Sequence, residues 1–221
     1  MTARKTLCGL MAFVSLALYC LWQLSVLSID SDLMYRLMIQ RAEVTVYDQS
    51  VYAAAAEGIT GYLKGKLESI TVPGQDEPMF HQREMAHLRD VRHLVQLGLF
   101  LKWPMLVLSF VSAVMCFFTK PLLKNAAARG MGVGILCFYL ALLALIIWVV
   151  FDFTNAFSAF HRLLFCNDLW LLDPKTDIMI RLMPEGLFVS YVIEYVKRTF
   201  LVHACMMTLA VALLRKNLKE E

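Results

Sequence analysis

Five histidines, at positions 81, 87, 93, 161 and 203, are the side chains best placed to move protons at neutral pH. His87 lies in Arg83-Glu84-Met85-Ala86-His87-Leu88-Arg89-Asp90. Glu84 and Asp90 stand three residues to either side, so on a helix both flank one face around the imidazole. A carboxylate partner would fix the tautomer and raise the basicity of the other ring nitrogen. His161 falls in the aromatic stretch Phe-Thr-Asn-Ala-Phe-Ser-Ala-Phe-His-Arg-Leu-Leu-Phe, where an unpaired polar group is costly. Two imidazoles at the edge of a membrane are what proton transfer on a lipid needs, one taking a proton while the other gives one. A pair of packed, structural histidines is the competing reading of the same spacing. His203 reads as a packed histidine bonded to a neighbouring helix, His81 as a solvated turn residue and His93 as interfacial.

Other chemistries find less support. Glu84-x-x-His87 has the ligand spacing of di-iron bundles, but no second copy exists. Neither H-E-x-x-H nor G-x-S-x-G occurs. The six cysteines include no C-x-x-C pair, and all but Cys166 fall in apolar runs. We therefore expect no metal and no cofactor.

The elements that must hold these residues follow from hydropathy. Of the 221 residues, 59% are apolar and 18% charged, and the mean hydropathy is +0.61. Such a chain is neither disordered nor an ordinary soluble domain. A net charge of +3 with no basic face argues against nucleic acid as a partner. Four apolar segments give an all-α integral membrane protein with four transmembrane helices, at 1–27 (with the N-terminus), 94–118, 131–152 and 187–214. Arg4 and Lys5, the 119–130 loop with Lys120, Lys124 and Arg129, and the 215–221 tail hold eight Lys/Arg against two acids. The remainder holds thirteen against sixteen, which places both termini in the cytoplasm and residues 28–93 and 153–186 outside.

Residues 28–93 are long enough for a small extracytoplasmic cap, a helix plus a short β element. Val51, Ala55, Ile59 and Tyr62 recur at helical spacing, with Asp48 as a cap and Gly65 as the stop. Leu67 to Val72 is strand-like before the Pro73-Gly74 turn. A helix resuming at His81 or Gln82 is expected to run unbroken into the second span. The 153–186 segment reads as interfacial or partly re-entrant, with a short helix over Asp177 to Met183 stopped by Pro184.

Arg83-Glu84-x-x-His87-x-x-Asp90-Val91 ahead of a span resembles one signature of the bacterial lipoprotein intramolecular transacylase (Lit) family. Phe160-His161-x-x-x-Phe165, Trp170, Asp173-Pro174, Asp177 and Pro184-Glu185 resemble the second, and Gly61-Tyr62-Leu63-x-Gly65 is similar to a further family segment. The likeness covers most of the chain. It departs from the pattern at Lys102 in the second span and at Glu194, Lys197 and Arg198 in the last.

The resemblance implies an acyltransferase of the bacterial plasma membrane whose partner is a diacylated lipoprotein. It implies transfer of the acyl chain from the glycerol sn-2 oxygen to the α-amine of the same N-terminal cysteine, giving a lyso-form lipoprotein. An α-amine near pKa ~8 is well matched to an imidazole near ~6.5, and the poor alkoxide leaving group needs an acid. Attack passes through a ring of about eight atoms, so holding the substrate folded is a large share of catalysis. We expect His87 and His161 as the catalytic pair, His87 as base and His161 as acid, with the reverse assignment and an acyl-histidine route open. Glu84, Asp90, Arg83 and Glu185 are supporting candidates. Arg83, Arg89, Arg162 and Asn155 are candidate oxyanion donors, whereas Trp170, Asp173 and Pro184 read as turn, cap or interface anchors. A non-enzymatic membrane lipid-binding or assembly protein, a transporter and an intermolecular phospholipid acyltransferase are the rival functions.

Overall fold

The computed structural model describes residues 2–41, 47–71, 78–117 and 121–218. These form α1 (Thr2–Ser28), α2 (Ser31–Arg41), α3 (Gln49–Leu63), α4 (Gln82–Phe100), α5 (Lys102–Phe117), α6 (Pro121–Phe151), α7 (Phe153–Leu164), α8 (Ile178–Leu182) and α9 (Glu185–Leu218). All-helical architecture is as expected. The β element is not: among the described residues there is no strand, only an isolated bridge between Thr71 and Pro78. Met79 N–H donates to the Ile70 carbonyl beside it at 2.7 Å. A single bonded pair without a third strand is too little to build a sheet. Val72 and the Pro73-Gly74 turn lie outside the described residues.

Local chemistry sets the helix ends. Asp30 caps α2 by accepting the Leu33 N–H at 3.0 Å. Asp48 stands at the start of α3 but makes no capping side-chain bond, contrary to expectation. That helix closes as a Schellman motif. Gly65 adopts φ +78°, its N–H donates to the Tyr62 carbonyl, and the Lys66 N–H reaches back to Gly61. Glu84 supplies the reciprocal arm of a capping box at the start of α4, accepting the His81 N–H at 2.7 Å. The unbroken helix expected into the second span pauses at Leu101. Pro104 has no N–H for the Phe100 carbonyl, which interrupts the ladder there. Pro121 opens α6, so residues 121–130, expected as a loop, are helical.

Gln82–Val111 and Gly132–Phe151 are long and apolar enough to cross a membrane. Val14–Ser28 with Ser31–Arg41 qualifies only if a 69° bend falls within one span. The structure thus has two or three apolar spans by length and composition among the described residues, where sequence reading expects four.

The chain divides into two compact units. The first comprises Met1–Gln23, Phe100–Ile147 and Val196–Glu221. It buries Leu16, Cys20, Met105, Ile135 and Leu142, and also His203. Val133, Leu136, Leu140, Leu143 and Ile147 recur every three or four residues on α6 and are exposed, the outward face of a helix apolar all round. The second unit comprises Leu24–Leu99 and Trp148–Tyr195. Its core joins Leu33, Leu37 and Met38 of α2 to Tyr52, Ala55, Ile59 and Tyr62 of α3, with Ile70, Leu88, Met179 and Leu182. A Cβ on Gly58 would run into the Ile70 side chain, so the glycine is what lets that residue lie against α3.

Candidate active site

His87 and His161 lie together in the second unit, with ring centroids 5.9 Å apart. Both are buried, at 8% and 7% exposure. α4 presents His87 one turn beyond its capped start. α7 presents His161 one turn beyond Phe157 on the same face, while Phe160 and Leu163 are exposed. Asp152 fixes the start of α7, accepting from the Asn155 backbone at 3.2 Å and from the Asn155 side chain at 2.6 Å.

Aromatic rings close around the pair. Trp170 stacks on His161 at 4.9 Å with 27° between planes. Phe157 lies at 4.0 Å from His161, and Phe165 meets both imidazoles, at 5.1 Å from His87 and 5.6 Å from His161. His161 Nδ1 is 2.8 Å from the Phe157 carbonyl. A carbonyl only accepts, so Nδ1 carries the hydrogen and Nε2 of the neutral ring presents a lone pair. Burial pushes the imidazole below its ordinary pKa, although the bond to Phe157 pulls the other way. His87 Nδ1 is buried with no hydrogen-bond partner, and so is Trp170 Nε1.

Neither acid of the Arg83–Asp90 segment orients His87 as expected. Glu84, fully buried, divides its oxygens between two backbone amides, those of His81 and Met179, each at 2.7 Å. Asp90 accepts from the Asn167 side chain at 2.9 Å. Arg83 donates to the Asp168 carbonyl at 2.9 Å. Three polar residues of one short helical segment therefore fasten residues 167–179 to α4, and the histidine among them faces the aromatic enclosure. Spacing alone could not distinguish fastening from catalysis, because both require these residues on adjacent turns.

Asp177 belongs to the same fastening. It stands at the start of α8 and accepts the Asp173 N–H at 2.7 Å. The His81 imidazole lies 3.9 Å from both Glu84 and Asp177, and ligand atoms of these three residues fall within 4.8 Å of one another. Both carboxylates are already engaged by backbone amides, which accounts for their burial. Glu185 is exposed in the first turn of α9. Of the candidate oxyanion donors, Arg83 and Asn155 are committed as described, and Arg89 and Arg162 are exposed. Trp170 is the residue that sequence reading undervalued. Its nine-residue distance from His161 gives no periodic signal, and only the tied loop brings its ring onto the imidazole.

A shallow, open recess of about 230 Å³ shares Phe165 with the aromatic enclosure and is otherwise lined by Asp90, His93 and Leu94 of α4 and by Leu164, Cys166 and Asn167. The arrangement supplies a base, a second imidazole, an unpaired N–H and a polar recess in a largely apolar setting. These are the parts an acyl transfer uses.

A family model described as lipoprotein intramolecular transacylase Lit matches residues 10–188. No curated protein matches the chain. Three solved structures of the membrane-integral lipoprotein intramolecular transacylase Lit from Bacillus cereus share the fold. One covers all of this chain and 98% of its own, with TM-score 0.74 and 17% identity. A second, with arginine replacing one histidine, covers 98% and 95% at TM-score 0.71 and 17% identity. A third, with alanine there, covers 96% and 94% at 0.68 and 18%.

Proposed function

The chain belongs to the lipoprotein intramolecular transacylase family, and on that premise we propose that His87 and His161 move the protons of its acyl transfer. The observation that carries the assignment is the pair itself: two buried imidazoles 5.9 Å apart, enclosed by aromatic rings. The substrate is a diacylated lipoprotein. Its acyl chain passes from the sn-2 oxygen of the S-glyceryl group to the α-amine of the same cysteine. The site faces outward from the plasma membrane, with both termini in the cytoplasm, as the distribution of Lys and Arg favours.

The substrate amine arrives largely as ammonium, its unperturbed pKa being near ~8. The recess bordered by Asp90 suits that charge. Burial, and after it the charge of neighbouring His161, lowers the His87 pKa to about 4, too low to take a proton from an ammonium, so the amine sheds its first proton to water as it enters. The neutral nitrogen attacks the sn-2 carbonyl. As the C–N bond forms, nitrogen loses a second proton to Nε2 of His161, which the Phe157 carbonyl leaves as the lone-pair nitrogen. The tetrahedral intermediate then collapses. The bond to the sn-2 oxygen breaks, and that oxygen takes its proton from His87, which His161 beside it recharges. The tautomer thus favours His161 as the base of the attack, the reverse of the first sequence assignment.

Water is the competing nucleophile, and ester hydrolysis is the failure to be avoided. Phe157, Phe165 and Trp170 around the imidazoles leave little room for it. They also hold the reacting groups near the folded conformation that an eight-membered closure, roughly, requires.

Mass spectrometry of N-terminal lipopeptides tests the reading. The host should lack its own N-acyltransferase, so that its lipoproteins otherwise keep a free amine. Wild type should give a species isobaric with the diacyl form but with one chain amide-linked in the fragment spectrum. His87→Ala and His161→Ala, at normal protein levels, should not. A free amine in the presence of well-expressed wild type would overturn the proposal.

A further inference from the structure

We propose that the indole N–H of Trp170 donates to the sn-2 carbonyl oxygen and holds the oxyanion it becomes. The inference rests on the acyl-transfer reading above and adds to it the group that bears the developing negative charge.

Trp170 is 7% exposed, yet Nε1 has no hydrogen-bond partner. Buried indole N–H groups ordinarily find an acceptor, so an orphan calls for one. The ring that carries it stacks on His161, so an acceptor delivered to that imidazole arrives beside the indole as well. An ester carbonyl next to an amine reacting at His161 is such an acceptor. His87 Nδ1, in the same enclosure, is also unpaired. Trp170 and His87, whose rings neighbour His161, thus each carry an orphan polar atom.

The indole is well suited to the task. It donates and never accepts, and it keeps its proton throughout, so it can stabilise an oxyanion without entering the proton traffic. It is also held in advance. Arg83 grips the Asp168 carbonyl, the Leu171 and Leu172 amides turn back onto Asp168 and Trp170, and Asp177 holds the Asp173 amide. A donor fixed before the charge appears needs no reorganisation as the reaction proceeds. The other donors that sequence reading put forward are unsuited: Arg83 and Asn155 are bonded elsewhere, and Arg89 and Arg162 are exposed.

The test uses the purified full chain in detergent with a synthetic diacylglyceryl lipopeptide, following amide-linked product. Trp170→Phe keeps an aromatic ring on His161 and removes the N–H. Replacement of Trp170 by 3-benzothienylalanine, with sulfur in place of the N–H, preserves the indole shape as well. Both variants should lose about 100-fold in kcat with KM changed less than about threefold, the pattern of an interaction made only in the transition state. Should Trp170→Phe melt early, the benzothienyl variant decides alone. Full activity of the benzothienyl variant would overturn the proposal, since shape and not the N–H would then matter. So would a rise in KM at unchanged kcat. An inactive wild type would instead remove the acyl-transfer reading beneath it, so the two failures are distinguishable.

Discussion

His161 and His203 are both buried histidines walled by aromatic rings, and they differ in what their nitrogens are left to do. His203, in the first unit, is 1% exposed and meets Tyr19, Phe138 and Tyr139 edge-on. Its Nδ1 pairs with the Tyr139 hydroxyl at 3.2 Å and its Nε2 with the Cys20 thiol at 3.8 Å. His161, in the second unit, has only Nδ1 bonded, to Phe157. Among the described residues its Nε2 has no hydrogen-bond partner, and unpaired Trp170 Nε1 and His87 Nδ1 stand nearby. Both settings are apolar. In one the polar inventory closes on itself, as a structural element requires. In the other it stays open, and open valences are where a substrate can be recognised.

The sharpest way to break this contrast is to remove each imidazole while keeping an aromatic ring. His161→Phe should lower turnover by about 10²–10⁴, the range for losing a positioned acid or base, with little change in melting temperature. His203→Phe should leave turnover within about threefold. It should lower stability by about 1 kcal/mol, because the half-buried Tyr139 hydroxyl loses its bond to the ring. Lipopeptide turnover and thermal unfolding of the two variants, measured side by side, check both halves. Comparable loss of turnover in both would end the distinction between an open and a closed histidine.

A second contrast lies within the second unit, between the residue that reacts and those that fasten. Glu84→Gln keeps one carbonyl oxygen but turns an NH2 toward a backbone amide, either His81 or Met179. A charge-assisted bond is lost and two donors are opposed, at a cost of about 2–3 kcal/mol. The melting temperature should fall, and turnover should fall with it as the loop bearing Trp170 loosens. Glu185→Gln, at an exposed residue, should change neither. Normal stability in Glu84→Gln with turnover abolished would return Glu84 to a chemical role.

How far these roles were legible differs by residue. Helix content was plain from the apolar runs, and two ends were marked by residue type, Gly65 because glycine accepts the positive φ of a helix stop and Pro184 because proline cannot continue a helix. The two histidines stood out because their surroundings did, one among charges and one among aromatics. Leu67 to Val72 misled, since β-propensity is decided by neighbouring strands and none is at hand among the described residues. The partners of Glu84 and Asp90 were hidden for a different reason. Local spacing ties each to His87, but the groups they bind, Met179 and Asn167, are 95 and 77 residues away. Trp170 belongs to a family-like segment, but no periodicity ties it to His161. What sequence conveys poorly here is which polar atoms remain unpaired after the loops are fastened, and that is what separates His161 from His203.

The smallest effect expected is in the response to acid. Burial holds His161 below the imidazole pKa of 6.5, so its Nε2 stays available to lower pH than an ordinary histidine would allow. The substrate amine already imposes an acid limb of unit slope in log kcat/KM below about pH 8. That limb should steepen toward two only below pH 6.5, once His161 itself is protonated. Stability follows the same group. Its proton affinity is lower folded than unfolded, so below pH 6.5 the unfolded chain binds more protons, and stability contributed at higher pH is lost as pH falls through the folded value. His161→Phe should remove that component of the melting curve, whereas His203→Phe should keep it. Steepening of the rate profile at or above pH 6.5 would mean that the aromatic enclosure does not exclude water from His161, and the open site would then be a wet one.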